Sequence, residues 1–333
     1  MNSFGRIFRV SIFGESHGEA VGILVDGCPA GLPLQVSDFL SDLERRKGGK
    51  QKGTTPRQEE DLPIIQSGLF NGYTTGAPII ILFTNINTRS SDYEKQRAVP
   101  RPGHADFVAK VKAGGFEDYR GSGHFSGRLT VALVAAGVIA KKLLGSISIE
   151  SVITEIGGET DTGKGLQKAI DQKDSVGGIV ECRVKGLPAG LGEPFFDSAE
   201  SVISHLVFSI PAIRGIEFGT GFPAVRMFGS EHNDPIVSMD GKTSTNHAGG
   251  IVGGLTNGND LVFRVAVKPT SSTSKEQTTL NWETGVAETV SVKGRHDLCI
   301  ALRVPVVLEA VTAIALSDLM MLEQRIPRIF QKK

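Results

Sequence analysis

The sequence predicts an α+β fold in which buried helices are covered by sheet, and three observations support this prediction. Residues 127–145, GRLTVALVAAGVIAKKLLG, show a helical pattern that is apolar almost all round, and Gly145 suits a helix end. Residues 304–324 form a second long apolar helix. The predicted strands and helices are mixed without a regular βαβα alternation. Helices that are apolar on every side belong in the interior of a large fold.

The other elements follow from apolar periodicity and from capping residues. SDFLSDLERR begins a helix at Ser37, which we predict to be its N-cap, and Phe39, Leu40 and Leu43 share one face. The length permits one large domain or two ordinary ones, and no internal repeat is evident. Short branched apolar runs predict strands at residues 21–25, 77–83, 178–188 and 260–269, and SAESVISHLVFSI predicts a helix at 198–210.

Charge and cysteine content exclude several classes of protein. The 333 residues include 36 basic and 36 acidic ones, which argues against a general binder of nucleic acid or of a membrane surface. Cys28, Cys182 and Cys299 are far apart and form no CxxC motif, so neither a disulfide scaffold nor a structural zinc site is expected. The sequence shows no signal-peptide pattern and no uninterrupted run of about 18 apolar residues. We therefore expect a cytoplasmic protein without a membrane-spanning helix.

Four loops carry most of the polar residues that suggest chemistry. In the first, IFGESHGEAVGILVDGCP, Glu15, Ser16 and His17 stand between two glycines beside a predicted strand. The second, ERRKGGKQKGTTPRQ, has cations with no acid between them. Such a run is usually a solvated surface, but it also suits a small polyanion, because arginine binds carboxylate and phosphate through two parallel hydrogen bonds. Its cations are Arg45, Arg46, Lys47, Lys50, Lys52 and Arg57.

The third and fourth loops add histidines, hydroxyls and further cations. RPGHADF holds His104 near Arg101 through a Pro-Gly turn, and DYRGSGHFSGRLT leads Ser126 into the start of the central helix, a natural anion site. Its glycine spacing is not the GxGxxG dinucleotide fingerprint. The fourth loop, KPTSSTS at residues 268–274, offers one cation and several hydroxyls. KGRHDLCIALR then places basic and acidic residues close together just before the terminal helix. They could form part of a site or only a structural ion-pair network: Arg295, His296, Asp297 and Arg303.

Two kinds of hydrolase are not supported by the sequence. The seven histidines show neither HExxH nor HxxxH spacing, so we expect no metal site and no zinc hydrolase. Ser16 and His17 are adjacent, and adjacent residues of a strand point to opposite faces, so no nucleophile–base pair is expected. A GxSxG nucleophile elbow is absent from the sequence.

Taken together, these motifs resemble those of the chorismate synthase family over nearly the whole chain. GESHGEAVGILVDGCPAGLPL is similar to the family's first signature. RPGHAD, DYRGSG, SGR, KDSVGG, GLPAGLGEP, NHAGGIVGGLTNG, KPTSS and GRHDLC follow in the family's order. Each motif alone is weak, whereas their common order makes a chance match very improbable. The resemblance implies a single domain over residues 1–333.

The resemblance also implies a reaction, a cofactor and an architecture. Chorismate synthases convert 5-enolpyruvylshikimate 3-phosphate to chorismate and phosphate by a 1,4-anti elimination, the last step of the shikimate pathway. They require reduced FMN although the reaction has no net redox change. Their fold places central helices between antiparallel β-sheets and assembles as a homotetramer. Because this chain has no extra reductase domain and no Rossmann fingerprint, we expect a separate flavin reductant rather than a bifunctional enzyme that oxidises NADPH.

Candidate catalytic residues are carried over from the family's motifs. His17 matches a histidine proposed as an acid near the reduced flavin or the phosphate, and His104 matches a histidine assigned to protonation at the flavin. Asp297 matches the carboxylate proposed to work with flavin N5 in removing the C6 proton. Histidine suits such roles because its pKa lies near neutrality.

Binding residues are carried over in the same way. The substrate bears a phosphate and two carboxylates, so several cations must meet in one pocket. We expect the cationic loop to become ordered only when ligands neutralise its repulsion. The implied flavin contacts are Ser126, Arg128, Ala212, Gly253, Lys268, Pro269, Thr270, Ser271, Ser272 and Arg295. The expected substrate contacts are Ser16, Arg45, Arg46, Lys52, Arg57, Arg101, Arg128 and Arg303.

The chain departs from the usual family pattern at several positions. These departures affect individual contacts and retain all three catalytic candidates, so the elimination is the favoured function. The alternative is a flavin- or nucleotide-binding module that has lost catalysis and binds FMN without turnover. The departures are Lys47-Gly48-Gly49 after the paired arginines, His124 and Leu129 where arginine and glutamate are usual, Pro211 for asparagine, and Leu298 for proline.

Overall fold

The computed structural model describes residues 1–49, 52–57, 59–88, 97–292 and 296–331. Within these ranges the α-helices are numbered in chain order. They are α1 Ser37–Arg46, α2 Asp106–Ala113, α3 Thr130–Leu144, α4 Thr162–Gln172, α5 Ala199–Val207, α6 Gly229–His232 and α7 Val304–Leu322.

The strands of the described ranges are numbered in the same way. Most of them belong to two antiparallel sheets, and the others form short hairpins. The strands are β1 Ser3–Phe4, β2 Arg9–Gly14, β3 Ala20–Asp26, β4 Ile64–Ile65, β5 Leu69–Phe70, β6 Tyr73–Thr74, β7 Ile79–Thr84, β8 Ser148–Ile156, β9 Gly178–Lys185, β10 Ile213–Phe218, β11 Ile251–Val252, β12 Leu255–Thr256, β13 Leu261–Val267, β14 Gln277–Leu280 and β15 Ala287–Val290.

The two sheets enclose the long apolar helices. One sheet has the strand order β1-β2-β3-β7-β4, and the other has the order β10-β13-β9-β8. Helix α3 packs against β3 and β7 of the first sheet, α7 packs against β8 and β9 of the second, and the two helices pack along each other. This arrangement of sheet, helix, helix and sheet confirms the predicted α+β fold with helices covered by sheet.

The first sheet packs on α3 through every second side chain of its central strands. In β3 the residues Val21, Ile23 and Val25 are fully buried, and they lie opposite Phe83, Ile81 and Ile79 of β7. Because side chains alternate along a strand, this pairing places one continuous aliphatic face on the helix layer.

The central helices approach each other closely at a glycine. Every residue of α3 from Val131 to Ala140 is buried, so its surface lies in the core all round. A Cβ atom built at Gly137 would lie 2.3 Å from Ala310 Cβ and 2.5 Å from Ala310 Cα of α7. Such distances leave no room for a methyl group, and Gly137 therefore sets the spacing between the two helices.

Replacement of Gly137 by valine is expected to lower the free energy of unfolding by about 1–3 kcal/mol, because the helices must separate to accept the side chain. Chemical denaturation of both proteins measures the difference. Gly229→Val is the control, since a Cβ at Gly229 meets no atom within 4 Å. Equal stability of Gly137→Val and the parent protein would contradict this account of the interface.

Most predicted elements are confirmed, with ends that differ by a few residues, but two details of α1 were wrong. Val36 occupies the N-cap, and no side chain caps that helix end, so Ser37 is its first helical residue. Phe39 and Leu43 are buried as predicted, whereas Leu40 is 43% exposed. In the helix predicted at 198–210, Ser198 caps α5 by accepting a hydrogen bond from the Ser201 amide.

One helical stretch of the described residues, Ile300–Leu322, is long and apolar enough to cross a membrane. It includes α7, and most of its surface is buried within the protein between α3 and the second sheet. Its polar residues are satisfied internally: Asp318, for example, accepts hydrogen bonds from the backbone amides of Arg6, Ile7 and Phe8. The stretch is thus a core helix of this fold.

Candidate active site

A large cationic cavity opens where the two central helices begin. Its volume is about 950 Å³, and its wall includes Leu133 of α3 and Val304 and Val307 of α7. Helix N-termini carry partial positive charge, so both helices favour an anion at this end. The described lining residues include eight lysines or arginines and three acids. An excess of this size suits a ligand, or a pair of ligands, with several negative charges.

The deepest cations share one buried carboxylate. Asp61 accepts a hydrogen bond from Arg46 at 3.0 Å and a second one from Arg128. The Asp61 side chain is inaccessible to solvent, and both arginine side chains are 3% exposed. Asp61 adopts a left-handed backbone conformation with φ of 51°. The single carboxylate orients two guanidinium groups but neutralises only one charge.

Arg46 retains an unused donor in this buried setting. Its Nη1 donates to Thr130 Oγ1, but among the described residues its Nε has no hydrogen-bond partner. Burial lowers the pKa of Arg46 to about 10; attraction to Asp61 opposes this effect, while Arg303 and Arg128 add to it. The guanidinium is still protonated at neutral pH. A buried, charged and unpaired N–H is costly, and an anion in the cavity would satisfy it.

Arg101, Asp106 and His104 form a second cluster in the cavity wall. Arg101 Nε donates to Asp106 Oδ2 at 2.8 Å, and its Nη2 donates to Asp106 Oδ1 at 2.7 Å. Asp106 Oδ1 also lies 2.7 Å from His104 Nδ1. Arg101 reaches two other loops through Ser122 and Ser272. Arg101 therefore fixes the loops after residues 100, 120 and 270 in position relative to one another.

His17 and Ser16 lie in the turn between β2 and β3, not in a strand, so the expectation that they face opposite ways was wrong. A Cβ at Gly121 would lie 2.5 Å from His17 Nε2 and 2.9 Å from Ser16 Oγ. Both side chains therefore pack against the same glycine, which lines the cavity. Gly121 has φ of 57°, and its missing side chain leaves the space that the imidazole occupies.

Asn85 connects the turn that holds His17 to Arg128. Asn85 Nδ2 donates to the carbonyls of Glu15 and Gly18, and Asn85 Oδ1 accepts from Arg128 Nε at 2.9 Å. On the other side, Arg57 Nη1 donates to Ser16 Oγ at 3.3 Å and Arg57 Nη2 to Glu59 at 2.7 Å. The position of His17 is thus fixed relative to the cations.

Asp297 lies in the wall where α7 begins. Its Oδ1 accepts from the Thr55 amide at 2.8 Å, and its Oδ2 accepts from Arg303 Nη1 at 3.2 Å. Arg303 Nε in turn donates to the carbonyl of Arg46. These bonds connect the end of the cationic loop to the start of α7, and they place a carboxylate 9% exposed beside the cavity.

The loop after β13 closes another side of the cavity. Lys268 Nζ donates to Ser271 Oγ at 2.6 Å and to the Gly103 carbonyl at 3.1 Å. Burial, with a smaller contribution from Arg214, lowers the pKa of Lys268. The Lys268 amide donates to the carbonyl of Ala212, which has a left-handed φ of 74°. A non-glycine residue held this way stores strain, and such residues cluster at ligand sites.

The structure brings most of the expected binding residues to the cavity but not all of them. Arg45 does not line it; its guanidinium forms two hydrogen bonds to Glu309, at 2.8 and 2.6 Å. Lys52 donates to Gln167 and is not in the lining, and Ser16, His17 and Gly253 are not in it either. Arg295 lies outside the described residues. The expected residues that line the cavity are Arg46, Arg57, Arg101, Ser126, Arg128, Ala212, Lys268, Pro269, Thr270, Ser271, Ser272 and Arg303, together with His104 and Asp297.

The cationic loop is better compensated than its sequence suggests. Arg45, Arg46 and Arg57 pair with Glu309, Asp61 and Glu59, and Lys47 pairs with Glu44. The premise that these four cations lack acidic partners was therefore wrong: Glu59 and Asp61 lie just after the cationic stretch, and Glu309 lies far from it in the chain. Lys50 lies outside the described residues, and ordering of this loop on ligand binding stays a prediction.

Two of the departures from the family pattern have clear local roles. His124 Nδ1 lies 2.9 Å from the carbonyl of Gly14 and so joins the 120–125 segment to the end of β2. Leu129 is buried in the core at the start of α3. Sequence reasoning did not assign Asp61, Asn85 or Asp106. Asp106 stands within the RPGHAD motif, which was a usable signal, whereas Asp61 and Asn85 carry no local pattern.

Helices enclosed by two antiparallel sheets, with a cationic cavity walled by histidines and a carboxylate, define an enzyme that acts on a small polyanion. The family model for chorismate synthase matches residues 8–321. Chorismate synthase of Chitinophaga pinensis is 71% identical over 332 residues, which cover 99% of this chain and 100% of that protein. Chorismate synthase of Dehalococcoides mccartyi is 44% identical, again over 99% of this chain and 100% of that protein.

A solved structure agrees with these sequence matches. A crystal structure of a chorismate synthase superposes with a TM-score of 0.73 at 25% identity and covers 96% of this chain and 93% of that one. The chain belongs to the chorismate synthase family. It is a lyase of the shikimate pathway that eliminates phosphate from 5-enolpyruvylshikimate 3-phosphate to give chorismate.

Proposed function

We propose that the cavity binds reduced FMN and 5-enolpyruvylshikimate 3-phosphate together and that the elimination takes place there. The observation that carries this proposal is the excess of cations over acids among the described residues, with an unpaired donor on Arg46, beside an apolar wall in one cavity of about 950 Å³. That volume lies at the upper end of the range of roughly 300–1,000 Å³ for small-molecule sites, which leaves room for two ligands.

The residues of the 268–272 loop fit a flavin with its phosphate. Lys268 supplies a cation and Ser271 and Ser272 supply hydroxyls, while Thr270 Oγ1 is buried without a partner among the described residues. Ser126, Arg128 and Ala212 complete the set that would hold the cofactor. When bound, reduced flavin supplies electron density transiently to the substrate as phosphate leaves.

The deep arginines suit the anionic groups of the substrate. Arg46 and Arg128 offer donors that Asp61 orients but does not neutralise fully. Arg57, Arg101 and Arg303 line the same cavity, each braced by an acid. Fixed guanidinium groups of this kind bind phosphate and carboxylate without reorganising, which holds the departing phosphate and stabilises its charge. Arg45 and Lys52 are not included in this substrate site.

Three residues in or beside the cavity wall are proposed to handle protons: His104 and Asp297 line the cavity, and His17 packs against the lining residue Gly121. His17, packed against Gly121, acts as an acid near the departing phosphate, and His104 holds a proton near the flavin. Asp297 takes part in removing the C6 proton. That proton is not adjacent to a carbonyl, so a side chain alone faces a weak acid, and the reaction needs the electron density that the cofactor supplies.

Flavin titrations test the cofactor site. With substrate present, Lys268→Ala is expected to raise the dissociation constant of FMN about tenfold, since a hydrogen bond to a charged group contributes about 1.5–3 kcal/mol and a tenfold change is 1.4 kcal/mol. Quenching of FMN fluorescence measures the constant. Lys242→Ala removes an exposed lysine outside the cavity and serves as the matched control. Unchanged affinity in Lys268→Ala would refute the assignment of this loop.

We further propose that the single-domain chain works as a homotetramer in the cytoplasm, with flavin reduced by a separate protein and without nucleic-acid or membrane partners. Large apolar side chains more than three-quarters exposed support contact between copies, because water-facing patches of this kind usually mark interfaces. Light scattering of the purified protein tests the tetramer, and NADPH consumption with FMN tests the separate reductant. The exposed side chains include Phe195, Phe196, Phe222, Val225 and Phe228.

A further inference from the structure

We propose that Asp106 is a positioning residue that keeps a proton on Nδ1 of His104 and so leaves Nε2 as the atom that exchanges protons in the cavity. The inference rests on the proposed role of His104 and adds the group that sets its tautomer. Both His104 and its neighbour Ser122 line the cavity, whereas Asp106 stands behind them.

The contact between Asp106 and His104 requires a proton. Oδ1 of Asp106 lies 2.7 Å from Nδ1 of His104, and two lone pairs cannot approach this closely without repulsion. Burial raises the pKa of Asp106, but hydrogen bonds from Arg101 and His104 outweigh it, and the net shift is far downward. The carboxyl group is therefore ionised, and the proton between the two atoms belongs to Nδ1.

Arg101 is a poorer hydrogen-bond partner for Nδ1 than Asp106 is. Its Nη2 lies 3.0 Å from His104 Nδ1, but that nitrogen carries only two hydrogens. One of them is directed to Asp106 Oδ1 at 2.7 Å and the other to Ser122 Oγ at 2.9 Å. The contact to Nδ1 is the longest of the three. A hydrogen shared with it would still leave lone pairs of Nδ1 and Asp106 Oδ1 facing each other across 2.7 Å, so the shorter contact assigns the proton to Nδ1.

Ser122 supports the same tautomer from the opposite side of the ring. Its Oγ lies 3.3 Å from His104 Nε2 and already accepts a hydrogen bond from Arg101. The serine hydroxyl is thus able to donate its own hydrogen to Nε2, which requires a lone pair there in the neutral ring. The contact with Asp106 thus assigns the proton to Nδ1, and the Ser122 hydroxyl is compatible with a lone pair on Nε2.

The first test reads the tautomer without using activity. Histidine labelled with ¹⁵N is examined by NMR at a pH where the ring is neutral, and His104 is assigned from its absence in His104→Gln. The parent protein should show a protonated Nδ1 and an unprotonated Nε2. In Asp106→Asn the amide is able to donate to Nδ1, so the proton should move to Nε2. A parent protein with its proton on Nε2 would overturn the proposal.

The second test is kinetic and separates positioning from structure. Asp106→Asn should lower kcat by about 10²- to 10⁴-fold, as expected when a histidine is held in the wrong tautomer. In a His104→Gln background the same substitution should change kcat little, because its target is gone. Any effect through Arg101 should appear in KM instead. An equal loss of kcat in both backgrounds would show that Asp106 does not act through His104.

Two controls keep the outcomes distinct. Asp260→Asn removes an aspartate that is paired with Arg183 outside the cavity, and it should leave kcat unchanged. Asp106→Glu restores the carboxylate and should recover part of the activity. Normal turnover by His104→Gln would instead refute the proposed role of His104, and the tautomer measurement would still decide what Asp106 does.

Discussion

Replacement of Asp61 by asparagine is expected to lower the free energy of unfolding by about 3–5 kcal/mol, the cost of removing one partner from a buried ion cluster. Asparagine keeps the shape of the side chain and tolerates the left-handed backbone at this position. The lost free energy of unfolding therefore measures what the negative charge of Asp61 contributes. Without it, Arg46 and Arg128 are left as two buried cations that repel each other.

The pH dependence of this loss has a definite sign. Burial raises the pKa of Asp61, but attraction from Arg46 and Arg128 outweighs it, so the pKa lies below the usual value near 3.8. A carboxyl with a lowered pKa stabilises the fold above its unfolded-state pKa and loses that contribution as the pH falls through the folded value. The difference between parent and Asp61→Asn should thus be full at neutral pH and shrink in acid below pH 3.8.

Denaturation with urea measures both effects. Asp197→Asn is the control, since Asp197 pairs with an exposed arginine, Arg6, and surface pairs contribute about 0–1 kcal/mol. Added phosphate should stabilise Asp61→Asn more than the parent, because the freed arginines then bind the anion. If Asp61→Asn and Asp197→Asn were equally stable, the arginine cluster would not depend on Asp61.

Replacement of His17 by alanine is expected to reduce kcat by about 10²- to 10⁴-fold, the usual contribution of a general acid, without unfolding the protein. His17 is 8% exposed and lies in a turn beside the cavity rather than in the core between the sheets. Its removal thus takes away the proposed proton donor and leaves the main hydrophobic contacts in place.

Steady-state turnover and thermal unfolding of the same preparation check this prediction. Gly121→Ala is a companion variant, because its Cβ would lie 2.3 Å from His17 Cδ2 and must displace the ring. His232→Ala removes a histidine outside the cavity lining and should retain full activity. Near-normal turnover of His17→Ala would refute the assignment of this histidine as the acid.

The core of the fold was predictable because burial leaves a direct pattern in the sequence. Residues 127–145 and 304–324 are apolar on every side, and only an interior position satisfies such helices. The order of strands in the two sheets was not predictable in this way. It depends on pairings such as that of β10 with β13, which join residues far apart in the chain.

The candidate site was predictable where a motif keeps its residues close together and not where its partners are remote. RPGHAD holds Arg101, His104 and Asp106 within one turn, so the cluster could be found from the sequence. The run of cations after Glu44 suggested that these charges have no acidic partners. For Arg45 this was wrong, because its partner is Glu309, at the other end of the chain. Only folding reveals which cations face the cavity.

Anaerobic turnover tests the central claim most directly. The protein is mixed with 5-enolpyruvylshikimate 3-phosphate and chemically reduced FMN, and chorismate absorbance is followed beside phosphate release, with oxidised FMN and no flavin as controls. Equal amounts of chorismate and phosphate should form with reduced FMN, and neither product should form in the controls. Absence of chorismate from a protein shown to bind FMN would contradict this claim and would identify a flavin-binding module that has lost catalysis.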